Sequence, residues 1–380
     1  MTISEKNNYQ AELFSNRLAK NYRQLKKWAR KNRITCYRLY DRDIPEIPLA
    51  ADLYTFLPDH IHGKMEVAEF LKEENAAISS NSPLAKEILA DEKRRSFLHI
   101  YLYERPYEKD EAAEEEWLFE MKKAAAKTLD LPQENIILKT RRKQSAKEES
   151  ARNQYKKIES EKKIEGIIQE QGQIFKINLS DYIDTGLFFD HRPLRDFVRN
   201  SCSGKSVLNL FCYTGSFSVY AAQGNAKKIT SVDLSNTYLE WAKENMLLND
   251  FCDENKYFFV RQDASEFLSQ MNEESAKSNK SNLFDIIILD PPTFSNSKRT
   301  KTTLDINRDW SDFVAKCLNL LTPKGILYFS TNSRRLNFRE EELSKKFDLS
   351  KINIEEITQK TIPLDYRNSK IHKAWKISLK

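Results

Sequence analysis

Three acidic side chains follow apolar stretches that have the composition of buried β-strands. Asp233 ends the stretch KITSVD, Asp263 follows KYFFVRQ, and Asp290 ends LFDIIILD. In open α/β sheets, ligands bind beyond the carboxyl ends of the strands. The sequence therefore predicts a ligand site formed by acids at one edge of a parallel sheet.

The stretch NLFCYTGS indicates which ligand this site takes. A single glycine, Gly215, stands where the chain turns from a strand into a helix, and Asp233 follows eighteen positions later. An acid at this spacing can bind both ribose hydroxyls of a nucleoside, and Asp263 can read an adenine edge. The G-x-G-x-x-G pattern that pyrophosphate requires is missing, which argues against NAD and FAD. S-adenosylmethionine has no phosphate, so it is the favoured cofactor.

Each of these signals has a plain structural alternative. Asp233 alone is as consistent with a helix N-cap as with a ribose ligand. The three acids, in this order and at strand ends, together favour a methyltransferase.

The stretch DPPTFSNSKR, which begins at Asp290, predicts a pocket for a target base. Its two prolines, Pro291 and Pro292, fix the backbone after the acid. Phe294 can stack on an unstacked base. The basic residues Lys298, Arg299 and Lys301 can contact phosphates. A lone Asp-Pro-Pro would instead be an N-cap acid beside a loop aromatic, but its position after the fourth strand favours the pocket.

The elements that must hold these residues alternate between strand-like and helix-like patterns from about residue 164 onward. Apolar strands followed by amphipathic helices predict an α/β domain with a parallel sheet covered on both faces. A hairpin over residues 164–180 precedes this alternation, and AKSNKSN before Leu283 is predicted as a surface loop. We expect this domain to span residues 164–380.

Residues 1–163 predict a small α+β domain. Its first helix, over Ala11–Asn32, has apolar positions and is crowded with basic residues, including Lys26, Lys27 and Arg30. A basic helix face is more often solvated than bound, and phosphate contact is the sharper alternative. The charged segment over Ser145–Lys163 is predicted as a loop or linker.

Composition limits the class of protein. The 380 residues carry 62 Lys and Arg against 56 Asp and Glu, a net charge of +6 that permits a nucleic-acid partner. Five cysteines lack CxxC spacing, and His60 and His62 have no further ligands nearby, so we expect neither disulfides nor a metal. No apolar run is long enough to cross a bilayer, and no signal core is evident. The expected protein is soluble, cytoplasmic and independent of membranes.

Several stretches resemble a known enzyme family. LNLFCYTGSFSV, TYLEWAKENMLLN and LDPPTFSNSKR are similar to the bacterial 23S ribosomal RNA methyltransferases, and most to the C-terminal half of the bifunctional K/L enzymes, which methylates guanine N7. The likeness includes DYIDTGLFFDHR, EITQKT, IHKAW and the N-terminal basic region. It implies a Rossmann-like class I S-adenosylmethionine methyltransferase domain preceded by the small domain. No counterpart of the family's THUMP domain or guanine-N2 half is found, so the resemblance implies a stand-alone N7 module.

The resemblance also implies roles for individual residues. The methionine end of S-adenosylmethionine would be held by Asp190, His191 and Arg192. The first strand turn would be lined by Asn209, Phe211, Tyr213, Gly215 and Ser216. Ribose and adenine would be held by Asp233, Leu234, Asp263 and Ala264. The target base would lie against Asp290, Pro291 and Pro292.

The choice of base depends on whether a thiol is available. Related cytosine-C5 enzymes place a cysteine after the fifth strand, because C5 is a poor nucleophile and the thiolate must first add to C6. Here that turn is FSTNSRR, with Asn332 at the position. Guanine N7 has a lone pair and no proton, so alignment suffices, with Asp290 and Asn332 holding the base. The predicted reaction is therefore direct transfer to guanine N7 of 23S RNA or of a large-subunit assembly intermediate.

Three alternatives stay open at this point. One is the cytosine-C5 reaction. Another is an RNA-binding assembly factor with an inactive site, which cofactor binding and a methyl-transfer assay would separate from an enzyme. The last is a small-molecule methyltransferase, which the basic loops disfavour.

Overall fold

The computed structural model describes residues 2–61, 63–80, 82–103, 110–141, 163–182, 184–278, 284–295 and 303–380. Its contacts divide the chain into two compact units. The first comprises Met1–Phe189 and Leu364–Arg367, and the second comprises Asp190–Pro363 and Asn368–Lys380.

The first unit combines helices with a mixed sheet. Its elements are α1 (Ile3–Lys31), β1 (Cys36–Asp41), β2 (Leu49–Thr55), α2 (Lys64–Ser79), α3 (Ala85–Arg94), β3 (Ser96–Tyr103), α4 (Glu111–Leu129), β4 (Ile136–Arg141), β5 (Glu165–Glu170) and β6 (Gln173–Asn178). The sheet order is β1-β2-β3-β4, with only the β3–β4 pair parallel. The α+β character and the first helix predicted for this part are confirmed, and the sequence analysis did not predict α2 and α3.

Helix α1 is longer than its sequence pattern predicts because its N-terminus is capped. Thr2 and Glu5 form a capping box, which satisfies backbone donors of the first turn and starts the helix at Ile3. The inward positions of α1, including Phe14 and Leu18, are fully buried in one apolar cluster with Trp117 of α4 and residues of the sheet. The α1–α4 pair thereby closes the core of this unit.

The β5–β6 hairpin belongs to the first unit, although the sequence boundary at residue 164 groups it with the second. The backbone N–H of Thr35 donates to the Gln169 carbonyl at 2.8 Å, and that of Leu57 donates to the Ile167 carbonyl at 2.8 Å. These hydrogen bonds join the hairpin to residues next to β1 and β2, which is why the contact boundary lies at Phe189.

The segment Leu364–Arg367 also packs in the first unit. The Arg38 N–H donates to the Asp365 carboxylate at 3.0 Å, and the Tyr366 ring lies 4.6 Å from the Arg38 guanidinium. The Arg367 guanidinium lies 3.2 Å from Asp43.

The second unit alternates strands and helices. Its elements are α5 (Arg192–Ser201), β7 (Ser206–Leu210), α6 (Ser216–Gln223), β8 (Lys228–Asp233), α7 (Asn236–Leu248), β9 (Tyr257–Arg261), α8 (Ala264–Ser278), β10 (Phe284–Leu289), β11 (Phe294–Ser295), β12 (Leu304–Asp305), α9 (Ile306–Leu318), β13 (Leu321–Thr331), α10 (Glu340–Ser344), β14 (Ile352–Glu356), α11 (Thr358–Thr361) and β15 (Lys373–Leu379). The predicted loop AKSNKSN is helical up to Ser278, and its remainder lies outside the described residues.

One seven-stranded sheet organises this unit, in the order β14-β15-β13-β10-β7-β8-β9. The neighbours from β13 to β9 are parallel, and β15 runs antiparallel to both β13 and β14. The central residues Ile286–Leu289 of β10 are fully buried, because helices cover both faces of the sheet. The predicted Rossmann-like α/β fold is therefore confirmed.

Two predicted features fall in parts of the chain that the structure does not describe. The basic residues Lys298, Arg299 and Lys301, and all of the predicted linker up to residue 162, lie outside the described residues. Among the helices that are described, none has the length and apolar composition needed to cross a membrane.

Candidate functional site

The three acids predicted from strand ends lie at the carboxyl edge of the parallel strands. Asp233 is the last residue of β8, and Asp290 directly follows β10. Asp263 lies two residues beyond β9. Because β7 lies between β8 and β10 in the sheet, its C-terminal turn is flanked by two of the three acids.

The turn between β7 and α6 has an unusual backbone. Phe211, Tyr213 and Gly215 all have positive φ, at 54°, 51° and 76°. Positive φ is uncommon for residues with a side chain, and it persists where surrounding contacts enforce it. Two such contacts are present: Asn245 donates to the Thr214 carbonyl at 2.8 Å, and the Tyr213 N–H donates to Asp233 at 3.0 Å.

Asp233 links the turn after β7 to the turn after β8. Its two carboxylate oxygens accept backbone N–H groups, one from Tyr213 at 3.0 Å and one from Ser235 at 2.9 Å. Burial raises the pKa of this carboxyl to about 6, although these N–H groups oppose the shift. Ser235 caps α7 through its own hydroxyl, so Asp233 is not the N-cap of that helix. The predicted ribose role remains a prediction.

Asp263 does act as a helix cap. Its Oδ1 accepts the backbone N–H groups of Ser265 at 2.9 Å and Glu266 at 3.1 Å, at the start of α8. Ala264 is the first residue of that helix and is buried. The cap fixes the acid at the sheet edge, where its adenine role stays a prediction.

The remaining residues predicted for the cofactor turns differ in their surroundings. Asn209 is buried within β7, and its amide donates to the Ser218 hydroxyl at 2.9 Å, so it ties the strand to α6. Ser216 is the first residue of α6, and Leu234 directly follows β8. Both are half-buried and stand at the edge that carries the acids.

Asp290 is anchored by one of its two oxygens. Oδ1 accepts from the Ser330 hydroxyl at 2.6 Å and lies 3.3 Å from His191 Nε2. Oδ2 has no protein partner among the described residues, and 24% of the side chain is exposed. Burial would raise the pKa of Asp290, but His191 and Ser330 hold it below its ordinary value. The result is a fixed carboxylate with one oxygen available to a ligand.

His191 lies between two carboxylates. Its Nδ1 is 3.3 Å from Asp190 Oδ2, and its Nε2 is 3.3 Å from Asp290 Oδ1. Burial would lower the pKa of this imidazole, but the two carboxylates raise it to about 10. Neither nitrogen is aligned for a good hydrogen bond with a described residue, so the contacts act as ion pairs. His191 is therefore a buried cation at neutral pH.

Asp190 is shared by two histidines. His372 Nδ1 lies 3.3 Å from the same Asp190 oxygen that faces His191. Burial would raise the pKa of Asp190, and the two histidines hold it well below the usual value. Arg192, which the sequence predicts beside them, is buried as the first residue of α5. The predicted contacts of these residues with methionine remain predictions.

The loop after Asp290 contacts the turn after β13. Pro291 is buried and Pro292 is half-buried. The Thr293 hydroxyl donates to the Asn332 side chain at 2.7 Å, and Asn332 is exposed. Phe294 is half-buried and pairs with Asp305 in the short β11–β12 ladder. Asn332 and the proline turn, which the sequence assigns to one pocket, are thus brought together.

Four of the five cysteine thiols are buried. They are Cys36, Cys202, Cys212 and Cys317, and Cys252 is exposed. Burial raises the pKa of Cys202 to about 12 and that of Cys212 and Cys317 well above the ordinary value. A thiol with a raised pKa is a poor source of the nucleophilic thiolate.

Sequence reasoning missed Ser330, Thr361 and His372 as parts of this cluster. Ser330 contacts Asp290, His372 contacts Asp190, and Thr361 contacts His372, which belongs to the stretch IHKAW. Ligand-type atoms of Asp190, His191 and His372 lie within 4.8 Å of one another, a spacing that would also suit a metal ion. The expected absence of a metal stays a prediction.

Comparisons with known proteins identify the family of this chain. Residues 85–346 match the sequence model of a family described as S-adenosylmethionine-dependent methyltransferase. Ribosomal RNA large subunit methyltransferase K/L of Marinomonas sp. (strain MWYL1) is 38% identical over 97% of this chain and 43% of that protein. The protein of the same name from Shewanella sp. (strain MR-4) is 40% identical over 97% of this chain and 44% of its own length. The chain thus spans less than half the length of these relatives.

Solved structures share the fold. SMU.776, described as a methyltransferase complexed with SAH, has a TM-score of 0.62 at 20% identity, over 97% of this chain and 82% of that one. A SAM-dependent methyltransferase from Streptococcus mutans has a TM-score of 0.63 at 20% identity, over 97% of this chain and 81% of that one.

Proposed function

Because this chain belongs to the S-adenosylmethionine-dependent methyltransferase family, we propose that it methylates 23S ribosomal RNA at guanine N7, free or in a large-subunit assembly intermediate. The RNA substrate is inferred from the names of relatives that are 38–40% identical over 97% of the chain. Guanine N7 is inferred from the chemistry of the site. The transfer is direct, without a covalent enzyme–RNA intermediate.

The observation that carries the proposal is the half-engaged carboxylate of Asp290. Oδ1 is occupied by Ser330 and His191, while Oδ2 has no partner among the described residues. Guanine presents N–H donors at N1 and N2, which a carboxylate oxygen can accept. Holding the base by this edge lets its N7 be aligned with the methyl–sulfur bond, which is the main catalytic requirement of such a transfer.

The charge of the cluster suits this reaction. Asp190 and Asp290 are carboxylates and His191 is a cation, so these three side chains carry one net negative charge. S-adenosylmethionine brings a positive sulfonium, and methylation moves that charge to the guanine ring. A negative, partly desolvated site stabilises the cation before and after transfer.

A covalent route lacks its nucleophile among the thiols next to the site. Cys212 is buried in the cofactor turn with a raised pKa, and Asn332 occupies the turn where cytosine-C5 enzymes place a cysteine. Guanine N7 needs neither a nucleophile nor a general base, because its lone pair attacks directly. This difference supports N7 over cytosine C5.

The first test identifies the modified atom. N7-methylguanine should be missing from one position of 23S RNA in a strain lacking the protein and should return when the purified enzyme and S-adenosylmethionine are added. A variant with all five cysteines changed to serine should still transfer methyl if it folds. Trapping of the enzyme on 5-fluorocytidine RNA would instead establish the cytosine-C5 reaction, and cofactor binding without any transfer would indicate an RNA-binding factor.

The second test concerns Asp290. Asp290→Ala should lower turnover about ten- to a hundredfold, since one charge-assisted hydrogen bond contributes roughly 1.5–3 kcal/mol. The affinity for S-adenosylmethionine, measured by calorimetry, should change much less. Equal losses in turnover and cofactor affinity would contradict a role for Asp290 at the base.

A further inference from the structure

A row of six polar side chains in the second unit runs from Thr361 to Ser330 and includes Asp290. It comprises Thr361, His372, Asp190, His191, Asp290 and Ser330. His372, which lies between Thr361 and Asp190 in this row, has a fully buried side chain. Its Nδ1 lies 3.3 Å from Asp190 Oδ2, and its Nε2 lies 2.9 Å from the Thr361 hydroxyl. The reaction as proposed above gives His372 no part.

The inner members of the row depend on one another electrostatically. A buried carboxylate is costly unless opposite charge or hydrogen-bond donors surround it. Asp190 faces both imidazoles through one oxygen, and His191 is the ion-pair partner of both carboxylates. The two imidazole rings also stack, with centroids 4.9 Å apart and planes 26° apart. Substitution of one side chain in the row therefore alters the electrostatic surroundings of members that it does not contact directly.

We propose that His372 is a positioning residue for methyl transfer: it holds Asp190, Asp190 holds His191, and His191 fixes Asp290 Oδ1 so that Oδ2 meets the target base. This inference rests on the proposed function for the identity of the ligand at Asp290. It assigns His372 to the reaction through its contact with Asp190, which lies before α5 and not at the sheet edge.

The two ring nitrogens of His372 face different partners. Asp190 is a carboxylate that accepts, so Nδ1 carries a proton. Nε2 lies 2.9 Å from the Thr361 hydroxyl, which donates to the Thr358 carbonyl at 3.0 Å. Thr361 thus orients the ring, and Thr361→Val tests the same row at its outer end with little change in volume.

The experiment compares variants that differ in the donor at this position. His372→Leu removes the donor, whereas His372→Asn places an amide N–H near the Nδ1 position. Methyl transfer from labelled S-adenosylmethionine to ribosomal RNA is measured at saturating concentrations of both. His372→Leu should lower the rate at least about tenfold and His372→Asn only about two- to threefold, with cofactor affinity within about threefold in both. His60→Leu, at an exposed histidine of the first unit, is the control and should match the wild type.

A double-mutant cycle tests whether His372 acts through Asp290. In an Asp290→Asn background, His372→Leu should cause little further loss of methyl-transfer rate, because the carboxylate that His372 is proposed to position is already removed. Two outcomes would overturn the proposal. One is additive losses of methyl-transfer rate in the double variant, and the other is equal losses in His372→Leu and His372→Asn. If His372→Leu does not fold, the same cycle with Thr361→Val decides, with an expected loss of about two- to fivefold.

Two further readouts separate this inference from the proposed function. The assay counts methyl groups transferred to any base, so the test of His372 remains valid even if the modified atom is not guanine N7. If the wild type transfers no methyl, the proposed function fails, and nitrogen-15 spectra of the imidazoles decide the inference: unchanged His191 signals in His372→Leu would overturn it. A stoichiometric metal that is present in the wild type and lost in His372→Leu would also overturn it, because the cluster would then be a metal site.

Discussion

At the scale of single residues, Asp233 is a carboxylate whose charge depends on the pH range in which the enzyme is assayed. Its pKa is raised to about 6 by burial, and its two oxygens already accept backbone N–H groups. A carboxylate still has lone pairs for the ribose hydroxyls of S-adenosylmethionine. The deprotonated form is the better acceptor, so cofactor binding should compete with proton binding.

This competition gives a prediction with a definite sign. Affinity for S-adenosylmethionine should be highest above pH 6 and should fall as the pH drops through about 6, by up to about tenfold per pH unit. Asp233→Asn should bind more weakly at pH 8 and should lose this pH dependence. Calorimetry from pH 5 to 8 measures both effects. The same pH dependence in Asp233→Asn would remove Asp233 from the ribose site.

Sequence patterns located the acids of the site better than they located the groups that hold them. Asp233 and Asp290 were predictable because each ends an apolar run, which is a local signal. His372 lies 182 positions after Asp190, and their pairing exists only because β15 returns beside β13. Asn209 was predicted to line the cofactor turn, yet its amide donates to Ser218, a contact that depends on helix placement. Long-range polar contacts of this kind leave no periodic trace in the sequence.

At the scale of elements, the turn between β7 and α6 is constrained both by its backbone angles and by close packing. Gly215 has a φ of 76°, and a Cβ at this position would lie 2.8 Å from Ala242 Cβ and 3.2 Å from Ala242 Cα. Both the backbone angle and the contact with α7 therefore require glycine. The single glycine noted in the sequence thus permits close packing of α7 against the turn.

We predict that Gly215→Ala destabilises this turn and weakens cofactor binding. The free energy of unfolding should fall by about 1–3 kcal/mol, because the residue is strained and α7 must shift. Denaturant unfolding and calorimetry with S-adenosylmethionine measure the two effects. Gly204→Ala is the matched control, since Gly204 also has positive φ but a Cβ there would meet nothing within 4 Å. A smaller loss of cofactor affinity in Gly215→Ala than in Gly204→Ala would contradict the role of the close contact.

The secondary structure was largely predictable, and the exceptions have physical causes. Strands β7, β8 and β10 were found because buried parallel strands are continuous apolar runs. Helices α2 and α3 were not, and their described residues bury few side chains, Val67 in α2 and Ala85 in α3. The β5–β6 hairpin was predicted, but its place in the first unit was not. That place depends on backbone hydrogen bonds with Thr35 and Leu57, which are distant in sequence.

At the scale of the whole molecule, the net charge of +6 becomes informative once exposure is known. Two of the basic residues on α1 that the sequence predicts for phosphate contact already have partners. Arg30 forms an ion pair with Glu92, and Lys26 lies over the Tyr22 ring. Four other basic side chains of α1 are exposed at helical spacing along one face. We call these the basic stripe: Lys20, Arg23, Lys27 and Lys31. Aligned cations with no ion-pair partner among the described residues are suited to a phosphate backbone, so the proposed RNA contact of α1 moves to this stripe.

The basic stripe can be tested by the salt dependence of RNA binding. Each phosphate contact contributes about 0.7–0.9 to the slope of log affinity against log salt, because binding releases counterions. Changing all four residues of the basic stripe to glutamate should therefore reduce the slope by up to about 3 and weaken binding most at low salt.

The control reverses four exposed lysines on other helices of the first unit, Lys72, Lys86, Lys123 and Lys127, and so matches the change in net charge. If the two variants flatten the slope equally, net charge alone attracts the RNA, and the basic stripe is an ordinary solvated face. A flattened slope only in the basic-stripe variant would assign α1 to the RNA interface, with S-adenosylmethionine binding unchanged because the acids predicted for its site lie in the other unit.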